Sequence, residues 1–90
     1  MRRVKARRIS SEQLRAARAL LRWEQRELAE RSGVSHPTIA RLELQPGPLK
    51  GYQRTVDLLR EAFEREGLVF LMPGEDGGEG VRFGYDFIAE

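Results

Sequence analysis

The stretch EQRELAERSGVSHPTIARLE, residues 24–43, decides the fold. Its first part carries apolar residues such as Leu28 at helical spacing, and Gly33 ends that helix where the backbone turns left-handed. Ser35 can cap a following helix, because its side-chain oxygen accepts a hydrogen bond from a free backbone N–H, and Pro37 fits the first turn. The stretch therefore predicts two short helices joined by a tight turn, the second with a polar N-terminus.

A longer helix is expected on each side of this pair. Ser10 and Gln13 have the spacing of a capping box, so the first helix is predicted to start near Ser11. The last helix is predicted over about residues 52–66, with Gly67 as its stop. Helical periodicity assigns these side chains to the core: Leu14, Ala17, Leu20, Leu21, Leu28, Ala29, Ile39, Leu42, Val56, Leu59, Ala62 and Phe63.

The apolar period changes after Gly67. Residues 68–72 are apolar, residues 73–80 form a glycine-rich turn, and apolar residues alternate with others from Val81 onward, which predicts a β-hairpin. Two strands alone are marginally stable in water, so the hairpin either closes its own core or pairs with a second copy. The favoured interpretation is a dimerisation surface made of Leu68, Phe70, Met72, Val81, Phe83, Tyr85 and Phe87.

Composition limits the classes of function. Ninety residues suit one small domain, the chain has no cysteine for disulfides or thiolate chemistry, and no apolar run is long enough to span a bilayer. Residues 1–50 hold 12 Lys and Arg against 5 Glu, whereas residues 51–90 hold 4 Arg against 9 Asp and Glu. The basic half favours binding to a polyanion, although solvated helix faces would produce the same asymmetry.

Catalysis and metal binding are not expected. His36 is the single histidine, and no nucleophile or second metal ligand stands at a suitable spacing from it. The turn at residues 73–80 lacks both the phosphate-loop and the calcium-loop pattern. We therefore predict no enzyme, no metal and no cofactor.

The segment from Arg15 to Glu43 resembles the lambda-repressor and Cro-like helix-turn-helix regulators of bacteria and phages, called the XRE family. The residues that carry the resemblance are Gln25, Leu28 and Ala29, then Gly33, Val34 and Ser35, then Thr38, Ile39, Leu42 and Glu43. The resemblance extends over residues 10 to about 68. One departure is Glu24, because relatives place a Ser or Thr cap at that position.

This resemblance implies a mainly α fold, a four-helix lambda-repressor-like domain with a C-terminal β-hairpin. The expected units are a basic N-terminal arm (1–9), a helix-turn-helix domain (10–67) and the hairpin (68–90). A recognition helix at about residues 35–44 would enter the major groove. Some residues are expected to contact DNA because the resemblance implies it, and others because their chemistry suits it. Together they are Gln25, Ser35, His36, Pro37, Thr38, Arg41, Lys50 and Arg54. Arg18 and Glu43 match a structural salt bridge of the family.

The function expected from the resemblance is sequence-specific binding of double-stranded DNA by a cytoplasmic, nucleoid-associated transcriptional repressor that acts as a homodimer. The alternative is an antitoxin that represses its own operon and binds a toxin protein. The basic arm either follows the DNA or acts as a solubilising tail.

Overall fold

The computed structural model describes residues 8–84 of the chain. Its elements are, in chain order, α1 (Ser11–Leu21), α2 (Gln25–Ser32), α3 (His36–Leu44), α4 (Gln53–Glu64), β1 (Leu68–Leu71) and β2 (Gly80–Phe83). The protein is therefore mainly helical with a C-terminal hairpin, which confirms the predicted fold class. No helix within the described residues is both long and apolar enough to cross a membrane.

The predicted capping box starts α1. The Ser10 hydroxyl oxygen accepts from the backbone N–H of Gln13 at 3.0 Å, and the Gln13 side-chain oxygen accepts from the backbone N–H of Ser10 at 2.9 Å. Leu14 and Ala17 are fully buried, but Leu20 is 40% exposed. At about 100° per residue, Leu20 lies roughly 120° away from Leu14 around the helix, so its assignment to the core stripe is wrong.

The joint between α2 and α3 follows the local sequence. Gly33 has a φ of +81°, and its N–H donates to the Ala29 carbonyl at 2.9 Å. An added Cβ at Gly33 would meet no atom within 4 Å, so the left-handed backbone, and not crowding, is what favours glycine here. Val34 is 7% exposed and packs into the core beside the turn.

The fourth helix is shorter than predicted. It spans Gln53–Glu64 instead of residues 52–66. The N–H groups of Glu66 and Gly67 donate to carbonyls three residues back, at 2.9 and 3.0 Å, so the chain leaves the α-helix through a tightened turn. Gly67, with a φ of +92°, then directs the backbone into β1.

The hairpin pairs β1 and β2 antiparallel, with Leu68 opposite Phe83 and Phe70 opposite Val81. Strand β1 ends at Leu71, one residue earlier than predicted. Successive side chains of a strand point to opposite faces, so these four lie on one face. That face packs inward, with β2 against α1 and β1 against α4.

Besides Val34, the core includes two more residues that lie outside the predicted helices and strands. Ile9 is 1% exposed and Leu49 is 2% exposed, and the Leu49 N–H donates to the Ile9 carbonyl at 3.0 Å. Ser10 forms an isolated antiparallel bridge with Pro48. Ile9, the last residue of the predicted basic arm (1–9), is therefore packed into the domain. Residues 1–7 lie outside the described part.

Candidate nucleic-acid interface

The N-terminal half of α3 presents its polar residues to solvent. Ser35 caps the helix: its hydroxyl oxygen accepts from the Thr38 N–H at 3.4 Å, and its own hydrogen is donated to the Thr38 hydroxyl at 2.9 Å. His36, Pro37 and Arg41 are exposed and Thr38 is half-buried. The opposite side of the helix consists of the buried residues Ile39, Leu42 and Glu43. One face of α3 is thus held by the core while the other is free to contact a ligand.

A chain of side-chain hydrogen bonds connects α1, α2 and α3 behind that free face. Arg18 donates from Nε and Nη2 to the two carboxylate oxygens of Glu43, each at 2.8 Å, and from Nη1 to the Trp23 carbonyl at 3.0 Å. Gln25 donates from Nε2 to Glu43 Oε1 at 2.9 Å, and its Oε1 lies 3.0 Å from His36 Nε2. These contacts lead from a buried ion pair to the exposed first residue of α3.

The ion pair of Arg18 and Glu43 is well shielded from solvent. The Glu43 side chain is 5% exposed and that of Arg18 is 19% exposed. The contact is bidentate, which is the geometry that a planar guanidinium prefers with a carboxylate. The pair therefore fixes the tilt of α3 on α1, which is the structural role that the family resemblance implies.

Gln25 also links Glu43 to His36, a role that its position in the sequence does not reveal. Its amide group is already bonded at both ends, to Glu43 and to His36. A side-chain amide nitrogen carries two hydrogens, so one N–H of Gln25 is left over after the bond to Glu43. The contact to a backbone phosphate that the resemblance implies therefore remains chemically possible through that hydrogen.

The loop between α3 and α4 brings further cations beside α3. Arg41 and Lys50 line the same cleft of about 220 Å³, together with Leu42, Gln45 and Gly51. Arg54 is exposed in the first turn of α4. A cleft lined by two cations suits the negatively charged backbone of a nucleic acid.

Arg8 supports this loop, and the sequence pattern did not single it out. Its Nη1 donates to the carbonyls of Leu49 and Gly51, at 3.0 and 2.8 Å, on either side of Lys50. The only local signal was the run of basic residues at the start of the chain. Its pairing with a loop more than 40 residues away depends on the tertiary fold.

Basic residues of the described part of the chain differ in whether a carboxylate lies beside them. Arg18, Arg31 and Arg60 each lie within 4 Å of at least one carboxylate. In contrast, Arg41, Lys50 and Arg54 form no ion pair with any carboxylate of residues 8–84. Arg15 belongs to the first group, and the exposed Arg22 and Arg26 belong to the second. The unpaired cations beside α3 keep their charge available to an external anion.

One carboxylate near this surface has a perturbed pKa. The hydrogen bond from Gln53, at 2.9 Å, is the main reason that the pKa of Asp57 lies below its ordinary value, and the Arg60 guanidinium adds to the effect. Asp57 is therefore charged and engaged within α4. Among the described residues, no cluster of acidic groups and histidine has the arrangement needed to hold a metal ion.

The described residues of the predicted dimerisation surface pack against their own domain. Leu68 is 3% exposed and belongs to the buried core, so its assignment to an intermolecular surface is wrong. The partly buried residues that pack against the same core are Phe70, Met72, Val81 and Phe83. Alternation along β1 instead exposes Val69 and Leu71, at 37% and 38%. Tyr85 and Phe87 lie outside the described residues.

Comparison with known proteins agrees with this geometry. Residues 14–47 match a family model described as helix-turn-helix. The match covers α1 from Leu14 onward and all of α2 and α3. No curated protein matches the chain.

Proposed function

We propose that this chain is a helix-turn-helix protein of the Cro/C1 type, the XRE family, as the match of residues 14–47 supports, and that it is a sequence-specific transcriptional repressor with α3 as its recognition helix. DNA binding is the general property of this domain family. The proposed site of action is the cytoplasm, at the nucleoid. No catalytic activity is part of the proposal.

The observation that carries the proposal is the distribution of unpaired polar groups. On the exposed side of α3, in the adjoining loop and at the start of α4, Arg41, Lys50 and Arg54 have no carboxylate partner within the described part of the chain. The other side of α3 is held in place by the buried ion pair of Arg18 and Glu43. A rigid helix with a solvent-facing polar end is what insertion into a major groove requires.

Each proposed contact follows from the chemistry of the side chain. Arg41 can donate two hydrogen bonds to guanine O6 and N7, a contact worth about 1–3 kcal/mol of discrimination. His36 is placed on a base edge, and Pro37 on a thymine methyl group. Ser35 and Thr38 each have a hydroxyl that can reach a phosphate or a base edge.

The phosphate contacts are proposed for the residues around the recognition helix. Lys50 and Arg54 supply charge on one side, and the remaining N–H of Gln25 supplies a donor on the other. Glu24 is a departure from the family pattern that weakens this arrangement, since its carboxylate repels a phosphate next to Gln25. The structure gives Glu24 no capping hydrogen bond in return.

We further propose that the repressor acts as a homodimer. One copy presents one recognition helix, whereas regulators of this type bind two half-sites about 34 Å apart through a two-fold partner. The apolar side chains that β1 offers to a second copy are Val69 and Leu71. Val69 and Leu71 take the place of the dimerisation surface predicted from the sequence, whose described side chains pack against the protomer's own core.

Sedimentation equilibrium tests the dimer. Val69→Lys should shift the chain to a monomer, while Asp76→Asn, which raises the net charge by the same one unit by removing a carboxylate in the exposed turn, should leave the association unchanged. A wild-type chain that sediments as a monomer at micromolar concentration would remove the dimer from the proposal and leave the DNA-binding site in place.

A second candidate function uses the same exposed hairpin face. The turn next to it carries Glu75, Asp76 and Glu79, so the surface combines two apolar side chains with acidic ones. A basic toxin protein would complement that surface, and the chain would then be an antitoxin that also represses its operon. A toxin reading frame beside the gene favours this candidate; purification of a complex from cells that express both genes tests it directly.

Selection of binding sites from random duplex DNA tests the proposed function. The wild-type chain should enrich one motif, and Arg41→Ala should lose preference at one position of each half-site. Lys50→Ala should weaken binding to all sequences alike and lower the slope of log affinity against log salt by about 0.9. No enrichment, together with no duplex binding at low ionic strength, would refute the proposal.

A further inference from the structure

The exposed His36 is tied to a buried carboxylate through the Gln25 side chain. Glu43 faces Gln25 Nε2 at 2.9 Å, and Gln25 Oε1 faces His36 Nε2 at 3.0 Å. Glu43 is held by the Arg18 guanidinium at 2.8 Å on each carboxylate oxygen and is nearly inaccessible to solvent. The donor and the acceptor of each hydrogen bond in this series can be assigned, because some of the groups can only accept.

The assignment of donors and acceptors starts at Glu43. An ionised carboxylate only accepts hydrogen bonds, so the end of the Gln25 amide that lies beside it has to be the NH₂ group. The other end of the amide, which faces His36, is therefore the carbonyl oxygen. That oxygen also only accepts, so His36 Nε2 has to carry a hydrogen.

The hydrogen on Nε2 determines what the rest of the ring can do. In a neutral imidazole one nitrogen donates and the other accepts, so a hydrogen on Nε2 leaves Nδ1 as an acceptor. No group among the residues that the structure describes donates to Nδ1. His36 is the first residue of α3 and is exposed, so this lone pair lies at the end of the helix that the proposed function places in the major groove.

An acceptor at that position discriminates between bases. In the major groove, adenine N6 and cytosine N4 donate hydrogen bonds, whereas guanine N7 and O6 and thymine O4 accept them. We propose that Glu43, acting through Gln25, fixes the Nε2–H tautomer of His36, so that His36 selects an exocyclic amino group, of adenine or cytosine, at one position of each half-site. The selection of a base rests on the proposed function, whereas the tautomer of His36 depends only on contacts within the free protein.

In this scheme His36 contacts the base, and Gln25 and Glu43 are positioning residues. Replacement of Gln25 by Met keeps the length of the side chain but removes the acceptor for His36 Nε2. The ring then populates both tautomers, and Nδ1–H can donate to guanine N7 or O6. The preference for an amino group should fall by roughly fivefold, which corresponds to the net value of about one hydrogen bond.

The first arm of the test uses the free protein. The ¹⁵N–¹H correlation spectrum of the His36 ring, recorded at pH 8 on the neutral imidazole, should show one tautomer with the hydrogen on Nε2. Gln25→Met should shift the ring nitrogen frequencies toward a mixture, and Gln53→Met, which changes an exposed glutamine outside the network, should not. A wild-type ring with its hydrogen on Nδ1, or with the mixture of a free imidazole, would overturn the proposal.

The second arm uses site selection from random duplexes with the full chain. The wild type should show adenine or cytosine at the position that His36→Ala relaxes, and Gln25→Met should add guanine at that same position. A motif that His36→Ala leaves unchanged, or a wild-type preference for guanine or thymine there, would overturn the proposal. If the wild-type chain binds no duplex at all, the proposed function is refuted, and the tautomer measurement still tests the role of Gln25 and Glu43.

Discussion

Two glutamines near the starts of α1 and α2 show how this small domain divides its polar groups. Gln13 is 2% exposed, and its amide is saturated: the oxygen accepts from Ser10, and the nitrogen donates to the carbonyls of Leu71 and Gly80, each at 2.9 Å. Gln25 bonds Glu43 and His36 but keeps one N–H unused. The first glutamine closes a structural joint, and the second leaves a surface that can still form hydrogen bonds.

The two helix starts differ in the same sense. The start of α1 has a complete capping box, and the Ser10 hydroxyl also donates to Glu79 at 2.6 Å, which links the cap to the hairpin turn. The start of α2 has Glu24 as its N-cap, with no side-chain hydrogen bond. The helix start beside the hairpin is thus capped by side chains, whereas the start of α2 lacks such a cap.

Removal of Gln13 is expected to have the largest effect. Gln13→Ala leaves the Ser10 N–H and two strand carbonyls without their partners, so the free energy of unfolding should fall by about 3 kcal/mol. Urea denaturation followed by circular dichroism measures the change. Gln53→Ala, at an exposed glutamine, should change it by less than about 0.5 kcal/mol. Equal losses in the two variants would contradict the structural role of Gln13.

Disruption of the ion pair behind α3 is expected to come next. Glu43→Gln removes the charge that Arg18 and Gln25 contact, and the unfolding free energy should fall by about 2 kcal/mol. The loss is below that of a fully buried pair, because Arg18 is partly exposed and keeps its bond to the Trp23 carbonyl. The affinity for duplex DNA should fall as well. A destabilised variant with unchanged DNA affinity would show that the ion pair does not orient α3 for DNA binding.

A change at Glu24 should strengthen the weaker helix start. Glu24→Ser supplies the missing cap of α2 and should raise the unfolding free energy by about 1 kcal/mol. It should also tighten DNA binding, since a negative charge next to Gln25 is removed. Glu30→Ser makes the same charge change on the same helix but cannot cap it, and serves as the control in both measurements. An equal gain from Glu30→Ser would show that charge alone is responsible.

The smallest expected effect is on the pH dependence of stability. The hydrogen bond from the Gly47 N–H, at 3.1 Å, is the main reason that the pKa of Glu12 lies below its ordinary value of 4.5. A lowered pKa means that the stabilisation is present above the unfolded value and is lost as the pH falls below it. Thermal unfolding between pH 7 and pH 2.5 should therefore show a drop in Tm below about pH 4.5. Glu12→Gln should reduce that drop, and an unchanged profile would contradict the role of this contact.

The sequence predicts the parts of the fold that depend on neighbours along the chain. The capping box at Ser10, the left-handed turn at Gly33 and the cap at Ser35 each involve residues at most a few positions apart, so their geometry is encoded locally. The start of α1 and the extents of α2 and of the α2–α3 turn match these signals. The family resemblance extended the prediction to the pairing of Arg18 with Glu43.

The contacts that sequence reasoning missed join distant parts of the chain. Gln13 bonds the carbonyls at the paired ends of β1 and β2, 58 and 67 residues away, and Arg8 bonds the loop around Lys50, 41 and 43 residues away. No periodicity or cap signals such contacts, because they exist only once the helices have packed. For the same reason, strand alternation identified the apolar face of the hairpin but did not reveal whether that face covers its own domain or a second copy.

The most direct test of the central claim maps the surface that meets DNA. In ¹⁵N–¹H spectra of the full chain titrated with a selected duplex, the account predicts chemical-shift changes centred on residues 35–41, with further changes at Gln25 and at residues 50–54. The backbone signals of β1 and β2 should shift much less. Changes centred on the hairpin, with residues 35–41 unaffected, would contradict the presentation of α3 to DNA.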